Sequence, residues 1–192
     1  LLALYSMLER NIIWNEAGKA GLVVGAVSGG YIIICSLLAG AEGTAALIVA
    51  NIVSMLLWVV KFGGCIWLMW FFMKRFAAAY SDADNSDTFR FGRAVALLSA
   101  LITASCFLVN CLFIDPDQFT NALDLFRDNP MMTSESMDMM EQMAPKLPRF
   151  GFFFNLIYCY IFGAALAAIF SRSIPSTNPF AGEDEGSEED DQ

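Results

Sequence analysis

The stretch GTAALIVANIVSMLLWVVKFGGCIWLMWFFM, Gly43–Met73, contains one charged residue, Lys61, in 31 positions. As a helix it would run roughly 46 Å, well beyond the ~30 Å hydrocarbon core of a bilayer. Three more runs carry no Asp, Glu, Lys or Arg: Ala20–Ala41, Ala94–Ile114 and Phe150–Ser171. Each is close to the ~20 apolar residues that one membrane crossing needs. Inside lipid, backbone N–H and C=O groups must be satisfied within the segment, so such runs predict helices. The fold class expected is an all-α integral membrane protein. It has four transmembrane helices, at about 20–41, 46–73, 93–114 and 150–171, and an amphipathic helical segment in the loop 115–149.

Composition agrees. The 192 residues are 57% hydrophobic, and the mean hydropathy is +0.54. These values are high for a water-soluble domain of this length. The net charge is −9, but seven of the 20 acids fall in Glu183–Asp191 and seven more between Asp115 and Glu141. The acidity therefore belongs to a loop and a tail and points to no global partner; no nucleic acid is expected. There is no histidine. That removes the commonest general base, the commonest metal ligand and the usual pH switch.

The basic residues predict orientation, because Lys and Arg accumulate on the cytoplasmic side. Arg10, Lys19, Lys74, Arg75, Arg90, Arg93 and Arg172 fall on one side of a four-span chain, and only Arg127, Lys146 and Arg149 on the other. Seven against three predicts both termini inside and the loop 115–149 outside, in a cytoplasmic membrane. The first six form a basic belt suited to lipid phosphates or an anionic lipid. Residues 1–17 predict an interfacial segment, with Leu4, Leu8 and Ile12 on one face. Leu1–Leu8 is too short to span and is followed by no cleavage-site pattern, so no signal peptide is expected.

Within the spans, Gly21, Gly25 and Gly29 form a glycine stripe, and Gly163 and Ala167 a second small-residue face. Both predict close helix packing, within the chain or against another protomer. The excess length of the second run predicts that Gly43–Val53 projects outward, its Leu47, Ile48 and Ile52 covered by the loop, the alternative being a strongly tilted span. Lys61 then lies deep in the membrane. No span carries a carboxylate to pair with it, so Asn51, Asn110, Asn155, Tyr158 or carbonyls freed near Gly63–Gly64 are its expected partners. A charge so placed is either a snorkelling structural group or a functional site.

The five cysteines, Cys35, Cys65, Cys106, Cys111 and Cys159, all lie in apolar runs and read as small buried hydrophobes. Ser81–Asp87 resembles a calcium loop but lacks its turn glycine and late glutamate, so it reads as a connector within Phe76–Arg93. Asp115 is expected to cap a helix with Pro116 in its first position, and Phe119, Ala122, Leu123 and Phe126 give that helix an apolar face. Six of the ten methionines lie in Met131–Met143. Thioethers can bind Cu(I), but without Cys or His beside them they are expected to cover apolar surface instead. No metal and no cofactor are expected. Residues 174–192 predict a disordered acidic cytoplasmic tail.

In order along the chain, several segments resemble a bacterial family of small membrane proteins, domain of unknown function 4199. They are Gly18–Gly25, Lys74-Arg-Phe76, Phe89-Arg-Phe-Gly-Arg93, Ile114-Asp-Pro116, the Met/Glu-rich helix and Phe170-Ser-Arg172. The resemblance covers roughly 15–173. It implies a four-helix inner-membrane protein, and it implies a membrane glycosyltransferase as partner, because members are often encoded near such enzymes. It brings no activity. The residues themselves show no catalytic constellation: no paired carboxylates sit on a rigid element. The expected function is thus a non-enzymatic membrane subunit or scaffold in an envelope or lipid-linked glycan process. The rival is an oligomeric transporter or channel component centred on Lys61.

Overall fold

A computed structural model describes residues 2–39, 44–80, 85–127 and 133–174. Among them every regular element is helical, and no strand occurs. The elements are α1 (Leu2–Ala39), α2 (Thr44–Ala79), α3 (Asn85–Val109), a π-helical turn (Asn110–Ile114), α4 (Gln118–Arg127), α5 (Ser134–Met143), a 3-10 turn (Ala144–Lys146) and α6 (Leu147–Ser173). Four stretches are long and apolar enough to cross a membrane: Asn11–Leu38, Ile48–Ala79, Asn85–Ile114 and Glu135–Ser173. This is an all-α membrane protein.

The helices are longer than the apolar runs. The segment expected to lie apart at the N-terminus continues into the first span, since α1 is unbroken from Leu2 to Ala39. No Pro, and no glycine before Gly18, interrupts it. The connector expected over Phe76–Arg93 contracts in the same way, because α2 reaches Ala79 and α3 begins at Asn85. Aromatic packing accounts for this. Phe76 stacks on Phe91 with ring centroids 4.3 Å apart and meets Tyr80 at a tilt, 5.0 Å away, so both helix ends are held beyond the apolar runs. Asp87, in the first turn of α3, accepts from Arg90 at 3.3 Å and favours the helix start. Ser81–Asp84 and the acidic tail lie outside the described residues.

Two compact units emerge. Among the described residues, the first holds 2–24, 63–80, 85–99 and 159–174. Its core is built from small residues (Ala17, Ala20, Ala94, Ala96, Ala167) around Met73 and Val95, both fully buried. Glycine makes that core possible. A Cβ on Gly21 would stand 2.8 Å from Leu98 Cβ, one on Gly92 2.7 Å from Ala167 Cβ, and one on Gly163 2.6 Å from Ala96 Cβ.

The second unit holds 25–39, 44–62, 100–127 and 133–158. Here Gly25 faces Ile102 and Gly29 faces Cys106, where an added Cβ would stand 2.7 and 2.5 Å from side-chain atoms. Both small-residue stripes are thus consumed within the chain, where van der Waals contact between helices supplies what water cannot. In the same unit Ile48 and Ile52 are exposed, which corrects the expectation that the loop covers them; the side chain of Leu47 lies outside the described residues. The Met-rich helix does not act as a cap: Met139 and Met143 are themselves exposed, and Met137 and Met140 are half-buried. Exposure to lipid costs an apolar side chain nothing, so no cover is required.

Candidate functional site

Two features of the second unit stand out chemically. The first is Lys61. Its Nζ lies 5.2 Å from the centroid of the Tyr31 ring, a cation–π contact between α2 and α1. An ammonium that lacks a carboxylate finds the negative face of an aromatic ring instead. The expectation of an amide or carbonyl partner is therefore corrected. α2 is helical without a break through Gly63 and Gly64, so no carbonyl is freed there. Asn51 is exposed, Asn155 is half-buried on α6 and Tyr158 is exposed. Asn110 is buried at 4% exposure, and its Oδ1 has no hydrogen-bond partner. One further buried side-chain oxygen, Ser36 Oγ, is orphaned among the described residues.

Lys61 sits on a helix that is mostly uncovered. Ile48, Val49, Ile52, Met55, Leu56 and Trp58 are exposed, and Trp58 stacks on Phe62 at 5.4 Å.

The second feature is the π turn and the cleft beside it. The Asp115 N–H bonds to the Asn110 carbonyl at 2.9 Å, the wide i→i+5 closure of a π turn. Asp115 therefore ends the third span rather than capping the next helix, and Pro116 lies in the turn before α4. The extra residue of the π turn was not legible, because Asn-Cys-Leu-Phe-Ile carries no breaker. Gln118 Nε2 donates to Cys111 Sγ at 2.7 Å and ties the start of α4 to the turn. Leu123 buries itself, as its place on the apolar face of α4 predicts; Ala122 and Phe126 lie outside the described side chains. Between the turn, α4, α5 and the first turn of α6 lies a cleft of about 440 Å³. Leu112, Phe119, Leu123 and Pro148 supply apolar wall, while Asp124 and Glu141 supply carboxylates. α5 starts cleanly, its Thr133 Oγ1 accepting from the Ser136 N–H at 3.3 Å.

The basic belt falls in the first unit, and its described side chains are all exposed. Lys19 pairs with Glu16 at 2.6 Å, Lys74 lies 4.9 Å from the Trp70 ring centroid, and the Arg93 guanidinium 5.6 Å from that of Phe89. Arg75 is exposed, and the side chain of Arg10 lies outside the described residues. The cysteines are free thiols, and no group of three or more Cys, Asp or Glu among the described residues could hold a metal ion.

Four spans, two consumed glycine faces and a basic belt coincide with one family model, that of "Protein of unknown function (DUF4199)", over residues 19–172. The chain belongs to the DUF4199 family. The matched region holds Lys61, both small-residue faces and the whole cleft, while Arg10 and the acidic tail of this DUF4199 protein fall outside it. No match was found among curated proteins or among solved structures.

Proposed function

We propose that this DUF4199 protein is a non-enzymatic subunit or scaffold of a bacterial cytoplasmic membrane, serving an envelope or lipid-linked glycan process. The observation that carries this reading is α2. Only 6% of its most apolar window is buried inside the chain, and its exposed side chains include Trp58 in one unit and Trp67 and Phe71 in the other. Aromatic side chains of this kind anchor interfaces. The glycine faces are occupied internally, so α2 offers the surface for a second membrane protein, with a glycosyltransferase the proposed partner. The orientation proposed, both termini cytoplasmic, draws on the belt of Lys19, Lys74, Arg75, Arg90 and Arg93 gathered in one unit. That belt suits anionic headgroups.

A photo-crosslinking residue at Trp58, 51% exposed, tests this in native membranes, with buried Val95 as the control position. The reading predicts a covalent adduct to a membrane protein of glycan assembly from position 58 and none from position 95. Adducts to lipid alone would contradict it.

The second reading, a homo-oligomeric transporter or channel component, is favoured by the orphaned Ser36 Oγ and Asn110 Oδ1 in the unit that holds Lys61. Self-adducts from Trp58 would support it, since a four-span chain must oligomerise to enclose a path.

A further inference from the structure

Lys61 is the one charge in the apolar run Gly43–Met73. It stands 18 residues after the start of that run and 12 before its end, roughly 27 and 18 Å as helix. In a hydrocarbon core ~30 Å thick, a residue about 18 Å from one boundary is about 12 Å from the other. Lipid phosphates lie at the boundaries, so no headgroup stands level with this residue. A cation at this depth is costly, and the general solution is to pair it.

Tyr31 does not complete the pairing. Its ring face attracts the ammonium at 5.2 Å, but Lys brings three N–H donors, and a ring face is a poor substitute for an oxygen acceptor. Among the described residues Lys61 makes no hydrogen bond and no ion pair. The four apolar runs hold no Asp or Glu, so nothing within them supplies the missing charge. Nor is the side chain walled in. Lys61 is half-buried, and Trp58, three residues before it and so its neighbour on the surface of α2, is 51% exposed. Met55, three residues before that, is also exposed. An uncompensated ammonium therefore stands at the edge of a bare apolar face.

We propose that Lys61 is the pairing point for a membrane-embedded carboxylate of another protein, an Asp or Glu in a transmembrane helix laid against Trp58 and Met55. The inference rests on the subunit reading and supplies the chemistry of its partner. A carboxylate meets an ammonium through charge-assisted hydrogen bonds, the strong kind, and in lipid each ion offsets the desolvation of the other. A span without an acid gains the apolar face but leaves the cation uncompensated, which gives selectivity. A second copy of this chain brings no carboxylate in its apolar runs, so it does not satisfy Lys61.

The test keeps the full chain in native membranes. The photo-crosslinking residue at position 58 is placed beside Lys61, Lys61→Met or Lys61→Arg. With Lys61 intact, an adduct to a membrane protein is expected. Lys61→Met should lower its yield by about tenfold or more, the scale of a lost buried charge pair. Lys61→Arg, which keeps the charge, should retain most of it. In detergent the isolated Lys61→Met chain should unfold at a higher temperature than the parent, so that a lost adduct is not a lost fold. Peptide mapping should place the crosslink in a partner helix that carries an Asp or Glu. Changing that acid to Asn or Gln should lower the yield as Lys61→Met does, and Lys in its place together with Lys61→Asp should restore it. Because the partner variant leaves this chain intact, it decides the matter if Lys61→Met disturbs the fold. A membrane-protein adduct that survives both Lys61→Met and the partner variant, or whose crosslinked helix carries no acid, would overturn the pairing and leave the subunit reading standing. Self-adducts or lipid adducts alone would overturn both.

Discussion

At the scale of single residues, Gly25 and Lys61 make opposite demands. A Cβ on Gly25 would meet Ile102 Cβ at 2.7 Å, a branched atom fixed to the α3 backbone, so one helix must move. Gly25→Ala should therefore destabilise the chain by about 1–3 kcal/mol, the usual cost of overpacking. Gly30→Ala, where nothing lies within 4 Å, should be neutral or stabilising by up to about 1 kcal/mol because it removes a helical glycine. Thermal unfolding in detergent reads both. Lys61 is stabilised by the Tyr31 face but is still a cation among apolar neighbours. Lys61→Met should raise the unfolding temperature, and Tyr31→Leu should lower it. A double-mutant cycle of the two should give a coupling of about 0.5–2 kcal/mol. The sequence singled out Lys61 but not its partner. Tyr31 lies 30 positions away on another helix, and nothing in the sequence favours its ring over the hydroxyl of Tyr158.

Among the elements, the four spans were legible because lipid leaves the backbone no alternative to a helix. Their ends were not. Phe76 and Phe91 hold the ends of α2 and α3 by tertiary stacking that no local pattern announces. The π turn was hidden for the same reason, since its residues would serve an α-helix equally well. It leaves Asn110 Oδ1 buried and unpaired, and an orphaned buried acceptor costs about 1–3 kcal/mol. Asn110→Leu should therefore stabilise the chain, read by the same unfolding assay, unless the amide serves function. A stabilised variant that no longer supports activity or partner binding would assign the amide that role. The cleft was visible from sequence only as parts. The apolar face of α4 was plain, but that Asp124 and Glu141 share a wall depends on how α4 and α5 are joined to the π turn and to α6.

For the whole molecule, the charge pattern and the apolar runs together support one proposal, that the third span separates a cytoplasmic connector from an external loop. The short stretch 74–93 carries four bases, Lys74, Arg75, Arg90 and Arg93, whereas the longer 115–149 carries three, Arg127, Lys146 and Arg149. The proposed placement of both termini and of the basic belt rests on this topology, so it is the point to test. The most direct measurement is cysteine accessibility in intact cells, with the five native cysteines replaced. Single cysteines go at Ser86, exposed at the start of α3, and at Gln142, exposed near the end of α5. With this topology, a membrane-impermeant maleimide should label position 142 in intact cells and position 86 only after permeabilisation. Labelling of both positions from the same side would contradict it.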